Sequence, residues 1–224
     1  MKIKKIFLKG FIKVKCSLLY RWNILIFAEI ILMFIILHLE QKQNLLISFI
    51  SILIHEFSHI ILAMMRGSKF NNFQMHIYGA RVDLLDVDEL NYKEKLFIYI
   101  VGPLSNICIA IIFILVNYYV RFELSEIVVT INIGLAIFNL LPAYPLDGAR
   151  ILEVILSRKM LYKEAQLRIA GISYFIGGAF IAICFYGVYK YSSINVTMLL
   201  VAVIIIYITR TEKKAVMYIL MGNI

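Results

Sequence analysis

The 224-residue sequence is short of charge: 17% of its residues are Asp, Glu, Lys or Arg, against 62% hydrophobic. A soluble domain of this size needs a far larger charged shell, so the composition excludes an ordinary water-soluble globule. A mean hydropathy of +0.87 fits instead a chain whose outer solvent is lipid. There is room for about six spans of roughly 20 residues each, and none beside them for a separate soluble domain. Cysteine is scarce too. Cys16, Cys108 and Cys184 form no CxxC or similar metal spacing, and a thiol within an apolar run is a small hydrophobe. No nucleic-acid reading motif accompanies the net charge of +9, so no nucleic-acid partner is expected. No small-residue cleavage site follows the first apolar stretch, which therefore reads as an uncleaved span rather than a signal peptide.

What the sequence has in plenty is apolar runs. They lie at about Trp22–Leu39, Asn44–Met65, Leu96–Val120, Ile127–Leu141, Ile169–Tyr189 and Ile194–Ile208. Between the second and third the chain turns polar. There FQMHIYGARVDLL reads as a strand, a turn at Gly79 and a second strand, and Glu89–Lys95 reads as an interfacial stretch. Placing the N-terminus, 66–95, 150–168 and the tail beyond 209 on one side collects 20 of the 23 Lys and Arg there. The other side keeps Lys42, Arg121 and Lys190. By the positive-inside rule both termini are cytoplasmic and the number of spans is even. The expected fold is an all-α polytopic membrane protein. It has about six transmembrane helices, a small cytoplasmic β-hairpin and a re-entrant LDG segment.

A charged group at mid-bilayer costs roughly 2.5–3.5 kcal/mol on insertion scales. The second run nevertheless places His55, Glu56 and His59 together, in ISILIHEFSHIILAMM. From Leu46 to Met64 a helix rises about 28 Å, so these groups lie well inside the hydrocarbon. A divalent cation offsets their desolvation. Residues i and i+4 share a helix face, so His55 and His59 can present two imidazole nitrogens to one zinc. Glu56 is rotated away from that direction and can reach a water as a general base. The alternative is a buried polar network that serves helix packing. Catalytic zinc takes three protein ligands, and the third is expected from Asp147 in FNLLPAYPLDGAR. Pro142 and Pro145 cannot continue a regular helix, and Gly148 permits a sharp turn. Broken backbone at membrane depth must be covered by protein or line a cavity, which makes this segment a kinked or re-entrant element.

At these motifs the chain resembles the site-2 protease family of intramembrane zinc metalloproteases. The match is to HExxH in one span and, in a later one, to N-x-x-P-x-x-x-LDG, here Asn139, Pro142, Leu146, Asp147 and Gly148. GPLSN, Gly102 to Asn106, looks like the family's G-P-x-x-N element. The resemblance covers roughly residues 40–155 as a catalytic core within one membrane-embedded domain, 1–224. It implies Zn²⁺ held by His55, His59 and Asp147, Glu56 as the catalytic residue, and hydrolysis of a peptide bond in a membrane-tethered protein. Asn139 matches a position near the active site. Its amide either binds the substrate backbone or satisfies the broken helix beside Pro142. The layout is similar to the family's sporulation branch, which implies activation of a sigma-factor precursor, with an anti-sigma-factor type of substrate as the alternative. No PDZ domain fits between the second and third runs, and no CBS domain is expected.

The expected partners are a membrane-tethered protein substrate, the lipid bilayer and a membrane regulatory protein. The expected location is the bacterial cytoplasmic membrane or a membrane surrounding the forespore. A helical substrate hides its carbonyls, so it must be extended before cleavage. The strand pair around Gly79 either offers an edge for that or serves as a rim that plugs the site. His38 and His76 read as interfacial or surface residues, and Glu29 is an intramembrane ionisable group without a visible partner. Two readings of another class remain. A metal-ion transporter needs ligands strung along a path, whereas these converge on one point. A non-proteolytic scaffold has no use for Glu56.

Overall fold

The computed structural model describes residues 42–66, 70–76, 79–84, 90–121, 123–192 and 194–221. The first apolar run, with Glu29 and His38, lies outside them, as does Cys16.

Helix α1 spans Lys42–Met65. Its buried residues are Ser51, His55, His59 and Ala63, one every fourth position, while Leu46, Phe49, Ile50, Leu53, Ile54, Phe57 and Ile61 point outward. This is a soluble helix turned inside out: polar groups face the protein and large apolar ones face the surroundings. Two strands follow, β1 at Phe70–His76 and β2 at Gly79–Leu84. They pair antiparallel, with Phe73 opposite Val82 and His76 opposite Gly79. Residues 77–78, where the sequence places part of the turn, lie outside the described residues.

Helix α2, Tyr92–Val120, begins four residues earlier than the apolar run because its first turn is capped. The Asn91 backbone N–H donates to Glu94 Oε2 at 2.9 Å, satisfying one of the donors a helix start leaves open. It buries Ile98, Gly102, Pro103, Asn106 and Ala110 and packs on both α1 and α3, which spans Ser125–Asn139. The chain then breaks. Residues 140–146 form turns in which Ala143 N–H reaches Leu141 O at 2.8 Å and Leu146 N–H reaches Ala143 O at 2.8 Å. Helix α4, Asp147–Leu156, restarts the helical path. Gly148 makes this tight reversal possible: a Cβ there would lie 2.2 Å from Leu140 O. The broken stretch is covered by protein, as backbone at membrane depth requires. Ala143 and Tyr144 are fully buried. Helices α5 (Tyr162–Tyr191) and α6 (Val196–Met221) pack over it, with Val201 and Ile205 against Ala143 and Leu146, and Ile169 and Ile208 against Tyr144 and Ala149. Ser173 Oγ accepts the Tyr144 N–H at 2.9 Å.

Six spans are not found among the described residues. Three helices are long and apolar enough to cross a membrane: Leu46–Met65, Tyr92–Val120 and Tyr162–Tyr191. The fourth expected run is an apolar helix of 15 residues, about 22 Å long, because Pro142 prevents its continuation. The sixth becomes α6, whose apolar run is interrupted by Arg210, Glu212, Lys213 and Lys214.

Candidate metal centre

Helix α1 presents His55 and His59 on one face, and α4 delivers Asp147 from its first turn to the same point. The three residues are 92 and 4 positions apart in sequence, yet their ligand atoms close a triangle. His55 Nε2 lies 3.1 Å from Asp147 Oδ2, His59 Nε2 lies 3.2 Å from the same oxygen, and the two Nε2 atoms are 3.2 Å apart. The imidazoles stand edge to face, with an interplanar angle of 76°. A triangle with such edges is the base of a tetrahedron whose centre is about 2.0 Å from each donor, the bond length zinc takes. Two imidazoles and one carboxylate, without a thiolate, are also the donor set that leaves zinc its open fourth position. The residues therefore fit the group. The backbone at Gly102 closes the α2 side of this space, where any side chain would intrude.

The opposite ring nitrogens are both engaged. His59 Nδ1–H donates to Ile98 O at 2.6 Å, and His55 Nδ1 pairs with Asn106 Oδ1 at 2.6 Å. A partner on Nδ1 fixes the ring and leaves the Nε2 lone pair for a metal. Both residues are buried. Glu56, the next residue after His55, is half-buried. Asn139 is buried, and its Nδ2 donates to Leu135 O at 3.1 Å.

Sequence reasoning singled out His55, Glu56, His59, Asp147 and Asn139. It passed over Asn132 and Ser51, which join Asn106 behind His55, and used Asn106 only as part of GPLSN. It also missed a buried ionic cluster one turn beyond Asp147. There Arg150 pairs with Glu153 at 3.0 Å and with Glu212 of α6 at 3.7 Å, and Gln166 Nε2 donates to Glu153 Oε1 at 2.9 Å.

A helix carrying His-Glu-x-x-His against an Asp from a broken helix is the arrangement of a metallopeptidase set among membrane helices. The model of peptidase family M50 matches residues 43–126 and 122–184. The chain belongs to peptidase family M50, the site-2 protease family, and is an integral membrane protein. It is 28% identical over 173 residues to a zinc metalloprotease of Methanocaldococcus jannaschii, covering 75% of this chain and 48% of that one. It is 27% identical over 128 residues to stage IV sporulation protein FB of Bacillus subtilis, covering 56% of this chain and 44% of the other. The chain thus spans about half the length of these curated relatives. The solved site-2 protease from Methanocaldococcus jannaschii shares the fold, with a TM-score of 0.59, 22% identity and coverage of 85% of this chain and 88% of that one.

Proposed function

We propose that this chain is an intramembrane zinc metalloendopeptidase that hydrolyses a peptide bond in a membrane-tethered protein. The observation that carries this is the triangle of His55 Nε2, His59 Nε2 and Asp147 Oδ2, with edges of 3.1 to 3.2 Å, beside the carboxyl-bearing Glu56. His55, His59 and Asp147 would hold the ion. Zinc, when bound there, supplies Lewis acidity that brings the pKa of water toward about 7. Glu56 takes a proton from the attacking water as the water oxygen bonds to the scissile carbonyl carbon. It returns that proton to the amide nitrogen as the C–N bond breaks. Asn139 has a second amide hydrogen and a carbonyl oxygen with which to hold the extended substrate backbone. The β1–β2 pair offers strand addition, which opens a helical substrate before it reaches Glu56.

The finer topology belongs to the same proposal: both termini cytoplasmic, in a bacterial membrane, supported by the distribution of 20 of 23 basic residues. A sigma-factor precursor is the favoured substrate, supported by the similarity to stage IV sporulation protein FB. The test is co-expression with tethered sigma-factor precursors and tethered anti-sigma factors, for the parent and for Glu56→Gln. The proposal expects cleavage of a precursor by the parent alone. Equal cleavage by Glu56→Gln rules out the mechanism, and cleavage of anti-sigma substrates only rules out the sporulation reading.

A further inference from the structure

Behind His55 runs a chain of buried amides whose direction can be worked out from one end. Asn132 of α3 is fully buried, as is Asn106 of α2. Asn132 Nδ2 donates to Val128 O at 2.9 Å and to Ser51 Oγ at 3.0 Å. A backbone carbonyl can only accept, so the amide nitrogen of Asn132 must face Val128 and its oxygen must face away. That oxygen receives Asn106 Nδ2 at 2.9 Å, and the same nitrogen reaches a second obligate acceptor, Ser51 O, at 3.4 Å. Asn106 is thereby fixed with its own oxygen toward His55 Nδ1, 2.6 Å away. An oxygen there requires Nδ1 to carry a proton, which leaves Nε2 to offer its lone pair to an ion held together with Asp147. Had the Asn106 amide turned over, an N–H would confront Nδ1. The proton would then sit on Nε2, inside the metal site.

The geometry points to Asn132 as a positioning residue: it orients Asn106 so that His55 is held in the tautomer whose Nε2, the nitrogen facing Asp147, can ligate a metal. The Asn132 amide bonds to Asn106, Ser51 and Val128 and to none of the three proposed ligands. It acts through Asn106, and Ser51 of α1 ties the far end of the chain to the helix that bears the histidines. The inference rests on reading His55 as a ligand. Its physical basis is general, since partners behind a metal-bound histidine set its tautomer and ring orientation.

The test uses the full chain in detergent, with Co²⁺ competed against a chelating dye and with ¹⁵N spectra of the histidine rings in metal-stripped protein. The parent is expected to carry its His55 proton on Nδ1. Asn132→Leu is expected to shift population toward the Nε2–H form and to weaken Co²⁺ binding about tenfold. The decisive background is Asn106→Asp, whose two oxygens accept from His55 whichever way the carboxylate turns. There, adding Asn132→Leu is expected to lower neither Co²⁺ affinity nor the Nδ1–H population. A role confined to packing predicts the same loss in both backgrounds, and that result overturns the inference, as does an unchanged tautomer in Asn132→Leu alone. Asp147→Asn separates the two levels. If it leaves Co²⁺ binding intact, the ligand assignment itself fails. If it abolishes binding while Asn132→Leu changes nothing, the ligands stand and the role of Asn132 does not.

Discussion

Gly102 of α2 lies directly against His59: a Cβ at this position would fall 2.2 Å from His59 Nε2 and 2.7 Å from His55 Nε2. Those are the two atoms that face the proposed ion, so a methyl group would occupy the ion's own space. A close-packed interior has no slack to move both rings aside. Gly102→Ala is therefore expected to weaken zinc binding by roughly 100-fold or more, the upper range for damage around a metal site, and to abolish proteolysis. Chelator-dye competition on the purified variant checks the first expectation. Parent-like affinity in Gly102→Ala would place the ion elsewhere.

Glu56 and Asp147 are expected to fail in different ways. Glu56→Gln keeps the side-chain shape and removes the base, so hydrolysis should fall roughly 10²- to 10⁴-fold while zinc content stays at the parental level. Asp147→Asn weakens a ligand, so zinc content and cleavage should fall together. Paired measurements of metal content by mass spectrometry and cleavage of a tethered substrate distinguish these patterns.

Arg150 holds two buried acids at once, Glu153 of its own helix and Glu212 of α6. Replacing it by Met removes the cation that both carboxylates face, in a site where each is about 95% or more covered. Breaking a buried ion pair from one side costs about 3–5 kcal/mol. Glu212→Gln leaves the Arg150–Glu153 pair and should cost less. Thermal unfolding in detergent is expected to rank parent, Glu212→Gln and Arg150→Met in falling order of stability. Because Arg150 lies one turn beyond Asp147, Arg150→Met should also lower zinc occupancy.

The parts legible in the sequence are those that a local pattern or an energetic conflict exposes. His55 and His59 stand four apart in an apolar run where nothing else offsets their desolvation, and Asp147 follows two prolines that must break a helix. The helix ends were less legible. Apolarity set the third run at Leu96, but Glu94 caps α2 from Asn91 and the charged residues 93–95 form its first turn. Likewise α6 runs past Ile208 because Thr209 and Glu212 are buried, with Glu212 facing Arg150 across 62 positions. Asn132 and Ser51 left no signal: single polar residues in apolar helices look alike in sequence, and only the packing of α1, α2 and α3 brings them together.

Gly148 sets the geometry on the other side of the centre. A Cβ there meets Leu140 O at 2.2 Å and Leu141 O at 2.5 Å, both backbone atoms that cannot swing away. Gly148→Ala is expected to destabilise the fold by about 1–3 kcal/mol, as overpacking does, and to displace Asp147. The readouts are a lower unfolding temperature and reduced zinc content. An unchanged unfolding temperature would mean that the α3–α4 reversal is looser than these contacts require.

The most direct measurement is X-ray absorption at the zinc edge on the full chain purified in detergent. The expected spectrum has two imidazoles and oxygen donors at about 2.0–2.1 Å, and loses one imidazole in His55→Ala. A spectrum without histidine scattering, or one unaltered by His55→Ala, would contradict a centre built from His55, His59 and Asp147.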